Sequence, residues 1–282
     1  AVYEKIEPGL RRRGLNPMGA DRIVRAPTSP LLSSAQPAAA GDSRAPTQVD
    51  KQRTLDFWVK QRAAMDAMKV AKNYAKAIPL FREALAVDPA HEDSIYYLAA
   101  CLASEGDTAG ALAQLTELKR LNPQSQRAFA QWGTLRARSA QSPADLQAAE
   151  ASLAQAHALN PEETGALLVL GEVALLRGET QRADERLAAA CRSNPKAAGG
   201  FFLRGYLAWK RGENAQAEKL LQDTRAALGK DWQPKGATSE GDVQRKQHVA
   251  TTPLAPFWEN WDGVAEPAQT YAALDARLSS GH

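Results

Sequence analysis

Aromatic residues are scarce in this sequence. Phe, Trp and Tyr supply 6% of its 282 residues, while the hydrophobic share is 44% and is carried by Ala and Leu. Both are strong helix formers, so the balance favours packed helices over sheets. Cysteine is nearly absent. Cys101 and Cys191 cannot build a disulfide framework and lack the close spacing of a zinc site; both read as small apolar side chains inside helices. No run of 18 or more apolar residues occurs, which excludes a membrane-spanning helix. The net charge is only +3, far from the clustered positive charge of a nucleic-acid binder. Catalytic signatures are missing too: there is no glycine-rich phosphate loop, nucleophile elbow, metal-spaced histidine pair or cofactor fingerprint. No catalytic residue, metal or cofactor is therefore expected. His91, His157, His248 and His282 lie far apart, with His91 read as a solvated loop residue and His157 as a helix-surface one.

Residues 1–50 differ from the rest. Pro8, Pro17, Pro27, Pro30, Pro37 and Pro46 interrupt any helical period, and Thr28–Gly41 is mostly Ala, Ser, Pro and Gln. Such composition buries too little surface to offset chain entropy. The stretch reads either as an extended or disordered leader, or as an arm whose Arg11, Arg12 and Arg13 meet an acidic surface. A chain that begins at Ala1 favours an exported, signal-cleaved protein, periplasmic or secreted, over a cytoplasmic one.

Residues 51–228 repeat. Asp88-Pro89, Asn122-Pro123, Asn160-Pro161 and Asn194-Pro195 recur in step, and so do Ala77, Ala111, Ala149, Ala183 and Ala217. Four residues after each alanine stands Phe81, Leu115, Leu153, Leu187 or Leu221. The alanine and the bulky residue share one helix face, the small one admitting a neighbouring helix and the large one filling the space beside it. Gly133, Gly171 and Gly205 sit mid-way along three first helices, and Gly106, Gly178 and Gly212 mark three turns. Proline ends each second helix because the residue before it is pushed out of the α region, and Asp or Asn adds a side-chain acceptor for the turn.

These columns resemble the tetratricopeptide repeat family, whose unit is a 34-residue helix–turn–helix. The resemblance implies an all-α, right-handed helical-repeat solenoid of about five units. Three departures stand out. The first repeat has Ala64-Met65 where a Leu-Gly pair belongs, the third carries four extra residues, placed in the turn around Ser139–Asp145, and the fifth lacks the closing proline. Atypical end repeats suit caps.

The resemblance further implies that first-helix columns line a concave groove. These columns hold Arg62, Asp66 and Lys69; Asp93, Tyr96, Ala100 and Ala103; Arg127, Ala130, Thr134 and Arg138; Leu168, Glu172 and Leu175; and Phe202, Tyr206, Trp209 and Lys210. Its first half is polar and basic through Arg62, Lys69, Arg127 and Arg138, with Tyr96 among them. Its second half is apolar and aromatic through Leu168, Leu175, Phe202, Tyr206 and Trp209. Either that aromatic cluster is a contact surface or it packs beneath the C-terminal tail. Some family members clamp a peptide carboxylate with Lys and Asn; no Asn occupies these columns, so that specificity is not expected.

Residues 229–282 form a tail. Asp242–Ala250 reads as a short helix, and Pro267–Ser279 as a terminal helix with Tyr271, Leu274 and Leu278 on one face. Between them Phe257, Trp258 and Trp261 are costly to leave in water; they read as a cap on the last repeat or as a recognition patch. Two functions are open. One is a non-catalytic protein–protein scaffold (adaptor, assembly factor or complex subunit) holding a protein or peptide partner in the groove. The other is an accessory protein with a metal or catalytic site around Asp242, His248, Glu259 and Asp262.

Overall fold

The computed structural model describes residues 47–229, 252–261 and 266–280, all within the compact unit Pro46–His282. Every regular element among them is helical. The repeats supply α1 (Gln48–Met65), α2 (Tyr74–Val87), α3 (Glu92–Ser104), α4 (Thr108–Leu121), α5 (Gln126–Arg138), α6 (Pro143–Leu159), α7 (Gly165–Leu176), α8 (Thr180–Ser193), α9 (Ala198–Lys210) and α10 (Asn214–Leu228). The tail adds α11 (Ala255–Trp258) and α12 (Pro267–Ser279). Consecutive helices pair, and each pair packs on the next.

The repeat columns explain this packing. Ala77, Ala111, Ala149 and Ala183 are fully buried, as are Phe81, Leu115, Leu153 and Leu187. Gly133 and Gly171 let paired helices close up: a Cβ on Gly171 would lie 2.6 Å from the Leu187 side chain, and one on Gly133 2.7 Å from Leu153. Second helices α2, α4, α6 and α8 stop one residue before Asp88, Asn122, Asn160 and Asn194. In each case the Asx side chain accepts a hydrogen bond from the backbone N–H two residues on. Gly106, Gly178 and Gly212 hold φ of 88°, 74° and 77° in the turns within repeats, where a side chain is strained. Lys72 fills the same column, 34 residues before Gly106, at φ 52°.

The ends of the helices differ from expectation in detail. The extra residues of the third repeat go mainly into helix, not turn. α6 has 17 residues where α2, α4 and α8 have 14, and Ser142 caps it by accepting from the Asp145 N–H. α1 starts at Gln48, with Thr47 and Asp50 in a capping box, and continues as a π-helical turn through Asp66–Val70. His91 is not a solvated loop residue. It is the N-cap of α3, half-buried, with its ring 4.6 Å from Phe57 and 5.7 Å from Trp58. Both cysteines are buried, and burial pushes the Cys101 thiol up to about 12 and that of Cys191 to about 11. The expected short helix at 242–250 lies outside the described residues.

Candidate functional site

The groove columns of the first helices fall into two halves with different fates. Over α7 and α9 the tail lies directly on them. Glu172 is fully buried and accepts two hydrogen bonds from the tail: the Leu254 N–H at 2.9 Å and the Trp258 indole N–H at 3.3 Å. The Trp258 ring rests on Gly199, where a Cβ would come within 2.7 Å of it. Trp261 packs on Phe202 with centroids 5.5 Å apart. Tyr271 of α12 meets Phe202, Tyr206 and Trp209 at 5.1, 6.0 and 5.7 Å, and its hydroxyl donates to the Phe202 carbonyl. The Tyr206 hydroxyl donates to Asp275 at 2.7 Å, and Lys210 pairs with the same carboxylate. Lys210 and Tyr206 hold the Asp275 carboxyl below the usual carboxylate range.

Glu172 behaves in the opposite way. Burial pushes its carboxyl up to about 7, against the pull of the Leu254 amide and the Trp258 indole. The α7 sequence around it, Gly165–Leu176, is otherwise apolar apart from backbone.

Leu175, Phe202, Tyr206 and Trp261 are thus not on a free surface; they are buried against each other and the tail. Leu168, Trp209, Phe257 and Trp258 are half-buried at the same contact. The tail aromatics and the groove aromatics, read separately in the sequence, are two sides of one cluster. Two members of this contact escaped selection as site residues: Glu172 and Gly199. A single acid in an apolar helix was the available signal for the first. Nothing in the sequence marked the second apart from its glycine neighbour.

Over α1, α3 and α5 the columns are more open, although Ala100 and Thr134 are buried. Arg62 and Arg138 are exposed, and Arg62 lies 4.0 Å from Asp66. Lys69 is exposed and stands over the Tyr97 ring at 4.8 Å. Arg127 stacks on the half-buried Tyr96 ring at 4.7 Å and pairs with Glu92 and Asp93. Its charge is therefore neutralised within the fold, and the basic character of this half rests on Arg62, Lys69 and Arg138. Although burial opposes it, the Ser125, Asn122 and Arg127 hydrogen bonds hold the Glu92 carboxyl below its ordinary value. Val59 and Val70 add apolar surface, 59% and 78% exposed.

The tetratricopeptide repeat family model matches residues 71–138. That segment spans the second helix of the first pair through the first helix of the third, the same columns the helices display. Residues 71–138 thus match tetratricopeptide repeats, and the same columns continue in step to Ala217. Solved repeat structures share its fold at low identity. The MamA protein is 20% identical with a TM-score of 0.54, covering 62% of this chain and 93% of its own. Pseudomonas aeruginosa pilF is 16% identical with a TM-score of 0.56, covering 80% and 99%. YrrB, described as a TPR protein with an unusual peptide-binding site, is 17% identical with a TM-score of 0.50, covering 66% and 93%. No curated protein matches the sequence.

Of the residues considered for a metal or catalytic site in the tail, Asp242, His248 and Asp262 lie outside the described residues. Among the described residues no three His, Cys, Asp or Glu side chains gather as a metal site would require, and no helix is long and apolar enough to cross a membrane.

Proposed function

We propose that this protein is a non-catalytic scaffold that holds a segment of a protein partner in its groove, as an adaptor, assembly factor or subunit of a larger complex. The observation that carries the reading is the open half of the groove. Arg62, Lys69 and Arg138 are exposed, Lys69 stands over the Tyr97 ring, and α1 with its π-helical turn exposes Val59 and Val70. Cations bordering aromatic and aliphatic surface suit a partner segment with acidic and apolar residues, and aromatic and arginine side chains are the usual anchors of such contacts. The peptide-binding site named for YrrB supports the same reading by analogy of fold. The partner is a protein and not a nucleic acid, because three separated cations give too little phosphate neutralisation for affinity at physiological salt.

The test is capture with the full chain and with a chain carrying Arg62→Glu, Lys69→Glu and Arg138→Glu. The unaltered chain should retain one partner in stoichiometric amount, and the charge-reversed chain should lose it at an unchanged melting temperature. Equal capture by both chains would refute this use of the groove.

A further inference from the structure

The filled half of the groove is built in an unusual way for a permanent cap. A cap gains most from apolar side chains, yet the floor of this seat is a fully buried carboxyl group, Glu172. Burying it removes a strongly hydrated group from water, an expense that hydrogen bonds only partly offset. Lifting the tail returns Glu172 to water and recovers that hydration. The tail contact at this point is therefore specific but weaker than an apolar seat of equal area. The tail is also joined covalently to α10 through residues 230–251. It can leave its seat without leaving the molecule.

We infer that the segment 252–261 is an internal ligand, and that a partner segment of the same chemistry displaces it from the groove of α7 and α9. That partner offers a free backbone N–H and, four residues later, an indole to Glu172, together with a second aromatic ring for Phe202. These are the groups that Leu254, Trp258 and Trp261 supply in the closed state. The inference rests on the groove reading above and adds a closed state to it. A tethered ligand acts at a millimolar effective concentration, so an incoming segment must bind well enough to exceed it.

A labelled synthetic peptide of residues 252–261 tests this without the natural partner. The full chain carrying Trp258→Ala and Trp261→Ala keeps every groove residue but loses its own ligand. It should bind the peptide at least tenfold more tightly than the unaltered chain, and adding Glu172→Leu should abolish the gain. A folded double variant that binds no better than the unaltered chain would overturn the inference, and so would a gain that survives Glu172→Leu. Gly199→Ala gives an independent arm that favours helix α9 while its methyl excludes the Trp258 ring. That chain should show red-shifted tryptophan emission and faster hydrogen exchange at 252–261, and it should not bind the peptide. Unchanged exchange there would also overturn it. None of these variants touches Arg62, Lys69 or Arg138, so failure here leaves the open half untested by it, and failure there leaves this result intact.

Discussion

At the scale of single residues, the repeat is a set of columns with separable jobs, and the departures from a column can be weighed. Lys72 stands where Gly106, Gly178 and Gly212 stand in later repeats, and it adopts φ of 52°. A left-handed conformation costs an L-residue about 1–2 kcal/mol, and the Lys72 side chain is exposed. Lys72→Gly should therefore raise stability by roughly 1 kcal/mol, less the entropy that glycine adds to the unfolded chain; a chemical denaturation midpoint that falls instead would show that the turn is not strained. Gly171→Ala runs the other way. Its methyl would meet Leu187 at 2.6 Å in a fully packed contact, and overpacking of this kind destabilises by about 1–3 kcal/mol, despite alanine's better helix propensity. Denaturation curves of the two variants should shift in opposite directions. The turn and packing glycines were legible in the sequence because each answers a local steric demand that recurs at a fixed spacing. Lys72 escaped notice because the demand is visible only once the turn's φ is known.

At the scale of elements, α7 shows how one side chain can set the behaviour of a contact. Burial raises the Glu172 carboxyl from 4.5 to about 7, so the tail-docked state binds its proton more tightly than the open or unfolded state. The stability linked to this group is thus fully present below the ordinary glutamate value. It is lost as pH rises through about 7, a span of about 3 kcal/mol. Docking of the tail should weaken between pH 5 and pH 8, and Glu172→Gln should flatten that slope. Melting temperature or tryptophan emission across the pH range reads it; a variant with the wild-type slope would assign the titration to another group. The sequence placed Glu172 in a groove column, through the family's geometry, but could not show that it is buried. Its neighbour in space, Leu254, lies 82 residues away, and no local pattern encodes a contact of that separation. The same distance hid the pairing of Tyr206 with Asp275. By contrast α12 was readable from Pro267, Tyr271, Leu274 and Leu278 alone, because an amphipathic stripe is a local property.

At the scale of the whole unit, the main contacts of each helix pair among the described residues are with its neighbours, so stability is close to a sum of pair terms and interface terms. The tail breaks that uniformity. Leu254, Trp261, Tyr271 and Leu274 join a core cluster with Leu175, Phe202, Tyr206 and Leu207, while the cluster around Phe81, Leu98 and Leu115 contains no tail residue. Support from the tail is therefore confined to the pairs α7–α8 and α9–α10. Removing a buried large aromatic costs about 3–5 kcal/mol, and in a nearest-neighbour array that loss stays near its origin. Trp261→Ala should accelerate hydrogen exchange through α9 and α10, and to a smaller degree through α7, while α3 to α6 keep their protection. A uniform rise along all ten repeat helices would mean that the unit opens as one cooperative body. In that case the two halves of the groove could not respond separately. A graded rise from the tail end would instead leave the open half, with Arg62, Lys69 and Arg138, able to hold a partner while the tail-covered half opens and closes.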